Sequence, residues 1–152
     1  MGGFLKSLSS LQPLGLLVLR FALGAIFFTH GYPKLTQSNP ALQQIFVQHG
    51  LPAQFVYVAG VLETFGGLML IVGLFARVAG LLFAAEMAVA IVKVHSVHGI
   101  MALHEYEFPL ALAGAAFAIA TVGAGAISID HLLFDEAKGT RSRPAKVKTT
   151  KR

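Results

Sequence analysis

The sequence contains no cysteine, and only 12% of its residues are charged, against roughly 25% in an ordinary soluble domain. Without a thiol, disulfide exchange, cysteine-ligated zinc or iron–sulfur clusters and cysteine nucleophiles are excluded. The scarcity of charge accompanies 55% hydrophobic residues and a mean hydropathy of +0.70. That balance excludes a disordered chain and indicates a membrane protein, whose first partner is the lipid bilayer. Its 152 residues suffice for one domain. The net charge of +5 does not describe a nucleic-acid surface, because seven of the twelve cations (Lys138, Arg141, Arg143, Lys146, Lys148, Lys151, Arg152) crowd the last residues. They form a basic tail beside a membrane.

A spanning helix needs about 20 mostly apolar residues. Four segments qualify: Leu14–Gly31, Pro52–Leu74, Val78–Val94 and Phe108–Val122. The expected fold is all-α, a polytopic four-transmembrane-helix bundle with short interfacial helices. It divides into a cytoplasmic N-terminal segment (1–13), the membrane domain (14–137) and the basic tail (138–152). Arg20 interrupts the first apolar stretch, which is read as a retained helix and not a cleaved signal. Lys6, Arg77 and the tail fall on one side of alternating spans, so both termini are expected in the cytoplasm. The opposite side then carries five of the six histidines, His30 included.

Two shorter helices are expected between the spans. Asn39 and Pro40 suit a helix start, Leu42, Ile45, Phe46 and His49 recur at helical spacing, and Gly50 offers a stop. Ser128 suits the cap of a second, running through Ile129, Leu132, Leu133 and Phe134 with Asp130, Asp135 and Glu136 on its wetter side. Glycines and small residues (Gly60, Gly66, Gly67 and Gly73; Gly114, Ala118 and Thr121) suit close helix packing.

The sharpest chemical signal is a set of ionisable residues inside the spans. Arg20, Glu63 and Glu86 fall at depths of roughly 15, 16.5 and 13.5 Å by helical rise, near the bilayer middle. Such residues are costly unless they face the bundle interior and satisfy one another. Arg20 is therefore expected to pair with Glu63 or Glu86, unless it snorkels to the cytoplasmic interface. Two carboxylates against one guanidinium leave a surplus charge, which a proton or Lys93 would offset. A structural clasp, a proton relay and recognition of a ligand head group all fit this set.

A second, outer group comprises His30, Lys34, His95, His98, His104, Glu105 and Glu107. His95 and His98 share a helical face at a spacing usable by metal or haem, although hydrogen bonding, proton exchange or helix capping explains such histidines equally well. No metal site is assigned. Glu107, just before Pro109, suits the N-terminal end of the last span.

From about Leu14 to Asp130 the sequence resembles the DoxX family of small bacterial membrane proteins. The resemblance rests on Arg20 followed by Leu23-Gly24 and His30-Gly31-x-x-Lys34-Leu35, then Glu63-x-x-Gly66-Gly67-Leu68 leading to Gly73-Leu74 and Arg77. It closes on His95, Gly99, Glu107, Gly123-x-Gly125 and Ser128-x-Asp130, with Ala126 standing where a basic residue often follows the glycines. The resemblance implies four spans in the bacterial inner membrane and a link to quinone-dependent redox reactions or to defence against oxidative and thiol stress. One branch is similar to the membrane subunits of thiosulfate:quinone oxidoreductase.

The resulting expectation is a membrane component of a redox system, an accessory or membrane subunit of a quinone-linked oxidoreductase. It would bind a quinone-like ligand through His30, Lys34 and Glu63, with Arg20, Glu86, His95 and Glu107 around it and a redox protein as partner. A small-solute or proton-coupled transporter and a noncatalytic scaffold are the alternatives. A quinone site requires a lateral apolar opening beside His30, whereas a transporter requires a water path from both faces to Glu63. Topology is testable directly: a reporter fused after Arg152 should read cytoplasmic and one inserted within Pro33–Leu51 should read the opposite side.

Overall fold

The computed structural model describes residues 7–37, 40–95 and 102–134, His95 by its backbone only. Among them every regular element is helical. The elements are α1 (Gln12–Thr36), α2 (Pro40–Gln48), α3 (Phe55–Val72), α4 (Ala76–Ala90) and α5 (Leu103–Val122). Helix α4 runs directly into a π-helical turn, Ile91–His95. Helices α1, α3 and α5, of 25, 18 and 20 residues, are long and apolar enough to cross a membrane. Helix α4 has 15 residues before its π-helical turn of 5.

Helix α1 continues through Pro33 to Thr36, five residues past its expected end at Gly31. One missing N–H is tolerated inside a packed membrane helix. The extension places Lys34 on the helix, three residues after Gly31, so it extends the stripe of Arg20, Leu23, Gly24, Phe27 and Gly31 that α1 buries.

That stripe lies on α3 at backbone contact. A Cβ on Gly24 would stand 2.5 Å from the Gly67 carbonyl oxygen, and one on Gly67 would stand 2.7 Å from that of Gly24. Further along, a Cβ on Gly31 would meet Glu63 Cβ and the Thr64 nitrogen at 2.6 Å, and one on Gly60 would meet Lys34 Cβ at 3.0 Å. Numbers rise on α1 as they fall on α3, so the helices are antiparallel. In lipid, where apolar burial does not drive helices together, such close packing does. Helices α4 and α5 form a second antiparallel pair, in which a Cβ on Gly80 would lie 2.7 Å from the Ala116 carbonyl oxygen.

The two pairs meet through Phe27 and Phe83, whose rings stack with centroids 3.7 Å apart and planes 5° from parallel. Gly66 makes room for Phe83: a Cβ there would come 2.8 Å from its ring. Gly114, expected in a packing face, has nothing within 4 Å of where its Cβ would be. It lies on the outward side of α5, because Leu112, Ala116 and Ile119 form the buried stripe.

Between α3 and α4 the chain turns within three residues. Gly73, at φ 73°, takes the left-handed conformation, and its N–H and that of Leu74 donate to the Leu70 and Met69 carbonyls. Asp130 closes the turn by accepting from the Phe75 and Ala76 N–H groups at 2.7 and 2.9 Å. Its carboxylate therefore caps the start of α4, not the wet side of a surface helix as its spacing suggested. Ser128 does cap the following helical segment (129–134), accepting from His131 N–H at 3.1 Å. The expected Asn39 cap of α2 lies outside the described residues, and Gly50 after it adopts φ 73°.

Two glycine substitutions separate seam from surface. Gly67→Val should destabilise the protein by about 1–3 kcal/mol or more, as over-packing does, whereas Gly114→Ala should be neutral or stabilise by up to ~1 kcal/mol. Denaturant unfolding in detergent micelles measures both.

Candidate functional site

The α1–α3 seam delivers Lys34 onto Glu63. The Lys34 ammonium donates to both carboxylate oxygens at 2.6 Å, with the two side chains only 17% and 6% exposed. Glu86, on α4, lines the same cavity as Lys34 and Glu63. Its Oε2 is buried and has no hydrogen-bond partner among the described residues. Three ionisable groups from three helices thus gather at one end of the bundle.

They open onto a cavity of ≈ 530 Å³. Its walls are apolar, among them Ile26, Phe27, Leu62, Met87, Val89, Phe108 and Leu112, and its polar groups are His30, Lys34, His49, Glu63 and Glu86. His30 is exposed beside the opening, and its Nδ1 sits 2.8 Å from the Ile26 carbonyl oxygen of its own helix. A carbonyl only accepts, so Nδ1 carries the proton and donates. Helix α2 lies across the cavity with Leu42, Ile45 and Phe46, and His49 just after it, lining the wall, and none of its residues is fully buried. A Gln43–Tyr57 side-chain hydrogen bond of 2.9 Å ties it to α3. At the inner limit the stacked Phe27 and Phe83, with Leu70, are at most 2% exposed and separate the cavity from the other end of the bundle.

Arg20 does not join the glutamates. It is completely buried at the other end, where Nη1 donates to the Leu70 carbonyl at 3.3 Å and Nη2 donates to the Ile127 carbonyl. The charge of Asp130 acts on it there. The expected Arg20–Glu63–Glu86 cluster is therefore corrected. Glu63 packs at the level of Gly31, and Arg20 is eleven residues away along α1, about 16 Å. Depth counted from each span's end made the two look level, because α1 reaches further than the expected span. Gly73 leaves space for the guanidinium: a Cβ there would fall 1.9 Å from Nη1.

Other expected site residues disperse. Glu107 is exposed and outside the cavity, and Lys93 is exposed on the π-helical turn. The side chain of His95 and all of His98 lie outside the described residues. His49 lines the cavity and was not among the expected site residues, although its spacing from Leu42, Ile45 and Phe46 already placed it on their face. At the opposite end Arg77 donates to the carbonyls of Ala120, Thr121 and Val122 at 3.2, 2.6 and 3.1 Å, capping α5.

Two comparisons identify the lineage. The DoxX family profile matches residues 15–96. A protein of Bacillus subtilis (strain 168) named "Putative oxidoreductase CatD" is 33% identical over 125 residues, 82% of this chain and 91% of that one. The chain belongs to the DoxX family. No solved structure matches it. In this DoxX chain the motif segments sort into two places: His30, Gly31, Lys34 and Glu63 gather at the cavity, while Gly73, Arg77, Gly123, Ser128 and Asp130 gather at the α3–α4 turn.

The geometry predicts which charges are coupled. Unfolding of Lys34→Met, Glu63→Gln and the double variant should be non-additive by about 1–3 kcal/mol, the range for residues in one ion-pair network. Arg20→Met combined with Glu63→Gln should add to within about 0.5 kcal/mol, as for separated sites.

Proposed function

We propose that this DoxX protein is a four-span component of the bacterial inner membrane that binds a quinone-like ligand for a redox or oxidative-stress system. The single observation behind this reading is the ≈ 530 Å³ cavity, apolar on its walls with a few polar groups converging from several helices. Its size and character suit an amphipathic ring bearing oxygen atoms. The relative carries the name "Putative oxidoreductase CatD", which agrees in reaction class. With no cysteine in the chain, electrons would come from a redox protein partner and this chain would supply ligand binding and proton exchange.

In this reading α4 with its π-helical turn is the third of the four spans, and both termini face the cytoplasm. The cavity end, with His30 and Lys34, then faces outward and the ligand enters laterally beside His30. Lys34 is held by Glu63, so contact with the ligand falls to His30 and Glu86. The closed aromatic layer beneath the cavity favours a one-ended binding site over a transporter, which needs access to Glu63 from both faces.

The test is binding of a short-chain benzoquinone, in oxidised and reduced forms, to the purified chain in lipid nanodiscs. At least one form should bind saturably. Ala59→Phe, which adds bulk to the cavity wall, should abolish that binding, and His30→Ala should weaken it about tenfold, the value of one lost hydrogen bond. Binding unaffected by Ala59→Phe, or none by either form, rejects the reading.

A further inference from the structure

A second cavity, of ≈ 550 Å³, lies at the opposite end of the bundle, walled by the start of α4, the end of α5 and residues of the segment 123–134. Its loop carries hydrogen-bond donors. The Gly123 N–H closes on the Ile119 carbonyl, but the next four N–H groups, of Ala124, Gly125, Ala126 and Ile127, have no acceptor among the described residues. Ala124 is buried, at 7% exposure, and a buried N–H without a partner is rare.

Arg77 stands beside this loop. A Cβ on Gly123 would fall 3.0 Å from Nη2 and 3.1 Å from Nε, so the glycine leaves that edge of the guanidinium bare. Nη1 and Nη2 donate to the last carbonyls of α5, while Nε–H has no acceptor among the described residues. The Nε–Nη2 edge is one of the two forks by which arginine meets a pair of oxygens on a phosphate or carboxylate.

The local charge also suits an anion. Asp130 lines the wall, but its two oxygens are taken up by the Phe75 and Ala76 N–H groups. Arg20 lies directly behind, with Nη2 donating to the Ile127 carbonyl. Two guanidinium groups against one carboxylate leave a surplus of one positive charge, and His131 is the remaining titratable group on the wall. Around the cavity Val78, Val122, Ile127, Leu132, Leu133 and Phe134 are exposed apolar side chains. Helices α3 and α5 end here, which puts the donors at headgroup depth and these side chains against acyl chains.

We propose that this cavity binds the phosphate of an anionic phospholipid, with the Nε–Nη2 edge of Arg77 and the N–H groups of residues 124–127 as its donors. The acyl chains lie along the apolar rim, which a phosphate free in solution would leave uncovered. A zwitterionic headgroup brings its own cation toward Arg77 and binds less tightly. The site is separate from the Glu63 cavity and does not depend on what that cavity holds.

Native mass spectrometry of the full chain, released from micelles holding equal amounts of phosphatidylglycerol and phosphatidylcholine with the same acyl chains, tests this. Single-lipid adducts should favour phosphatidylglycerol about fivefold, the worth of one cation facing an anionic lipid. Arg77→Met should bring the two lipids to parity, although it also uncaps α5. Ala126→Glu avoids that difficulty, since Ala126 is an exposed wall residue, and the like charge it introduces should bring parity too. A chain carrying Lys146→Gln, Lys148→Gln, Lys151→Gln and Arg152→Gln should keep the preference. Equal adducts in the unsubstituted chain, a preference that survives Ala126→Glu, or one that vanishes with the tail substitutions overturns the site. Millimolar inorganic phosphate at constant ionic strength should not displace the lipid; displacement would overturn the lipid as ligand and leave a site for phosphate alone.

Discussion

Backbone contact between α1 and α3 determines where every charge on those helices goes. Gly24 and Gly67 touch with no side chain between them, and seven residues along each helix Gly31 packs on Glu63 and Thr64 and Gly60 on Lys34 and Leu35. Antiparallel helices that close have one register. In it Lys34 falls beside Glu63, and Arg20 falls beside the end of α3. A shift by one residue would turn Arg20, Lys34 and Glu63 away from their partners in a medium that solvates none of them.

The two ends of the bundle use charge in opposite ways. At the α3–α4 turn, Arg20, Arg77 and Asp130 are spent on main-chain groups: the carbonyls of Leu70 and Ile127, the last carbonyls of α5 and the first N–H groups of α4. Most of these are groups at helix ends, and satisfying them with side chains ties α1, α3, α4, α5 and the segment 127–130 into one knot. At the cavity end the charges meet one another, and one carboxyl oxygen remains without a partner. A buried polar atom without a partner costs stability, and Arg20 Nε at the other end shares that condition. The stacked Phe27 and Phe83 rings divide these ends, so the knot can be rigid while α2, with no fully buried residue, covers the cavity loosely.

Much of the fold was legible in the sequence because composition and periodicity are local. Four apolar runs, the α2 stripe of Leu42, Ile45, Phe46 and His49, and the Ser128 cap all depend on neighbours within a few positions. Glu63 stood out because a carboxylate amid glycines in an apolar helix has few ways to exist. Its partner was not legible, since Lys34 lay three residues beyond the expected end of the first span, in the connecting segment Pro33–Leu51. Asp130 was misread for a related reason: its spacing describes its own short segment, and its bonds reach back 54 and 55 residues.

The sequence alone determined that this is a helical membrane protein of the DoxX type, without thiol chemistry and with ionisable groups inside its spans. Those properties follow from which residues are present and how they recur. Only the tertiary structure decided which ion meets which. Pairing depends on the relative slide of two helices, set by glycines whose meaning appears only when the facing backbone is in place. Glu63 packs level with Gly31, three residues from Lys34 but eleven from Arg20, roughly 16 Å of helical rise, and that register makes Lys34 its partner.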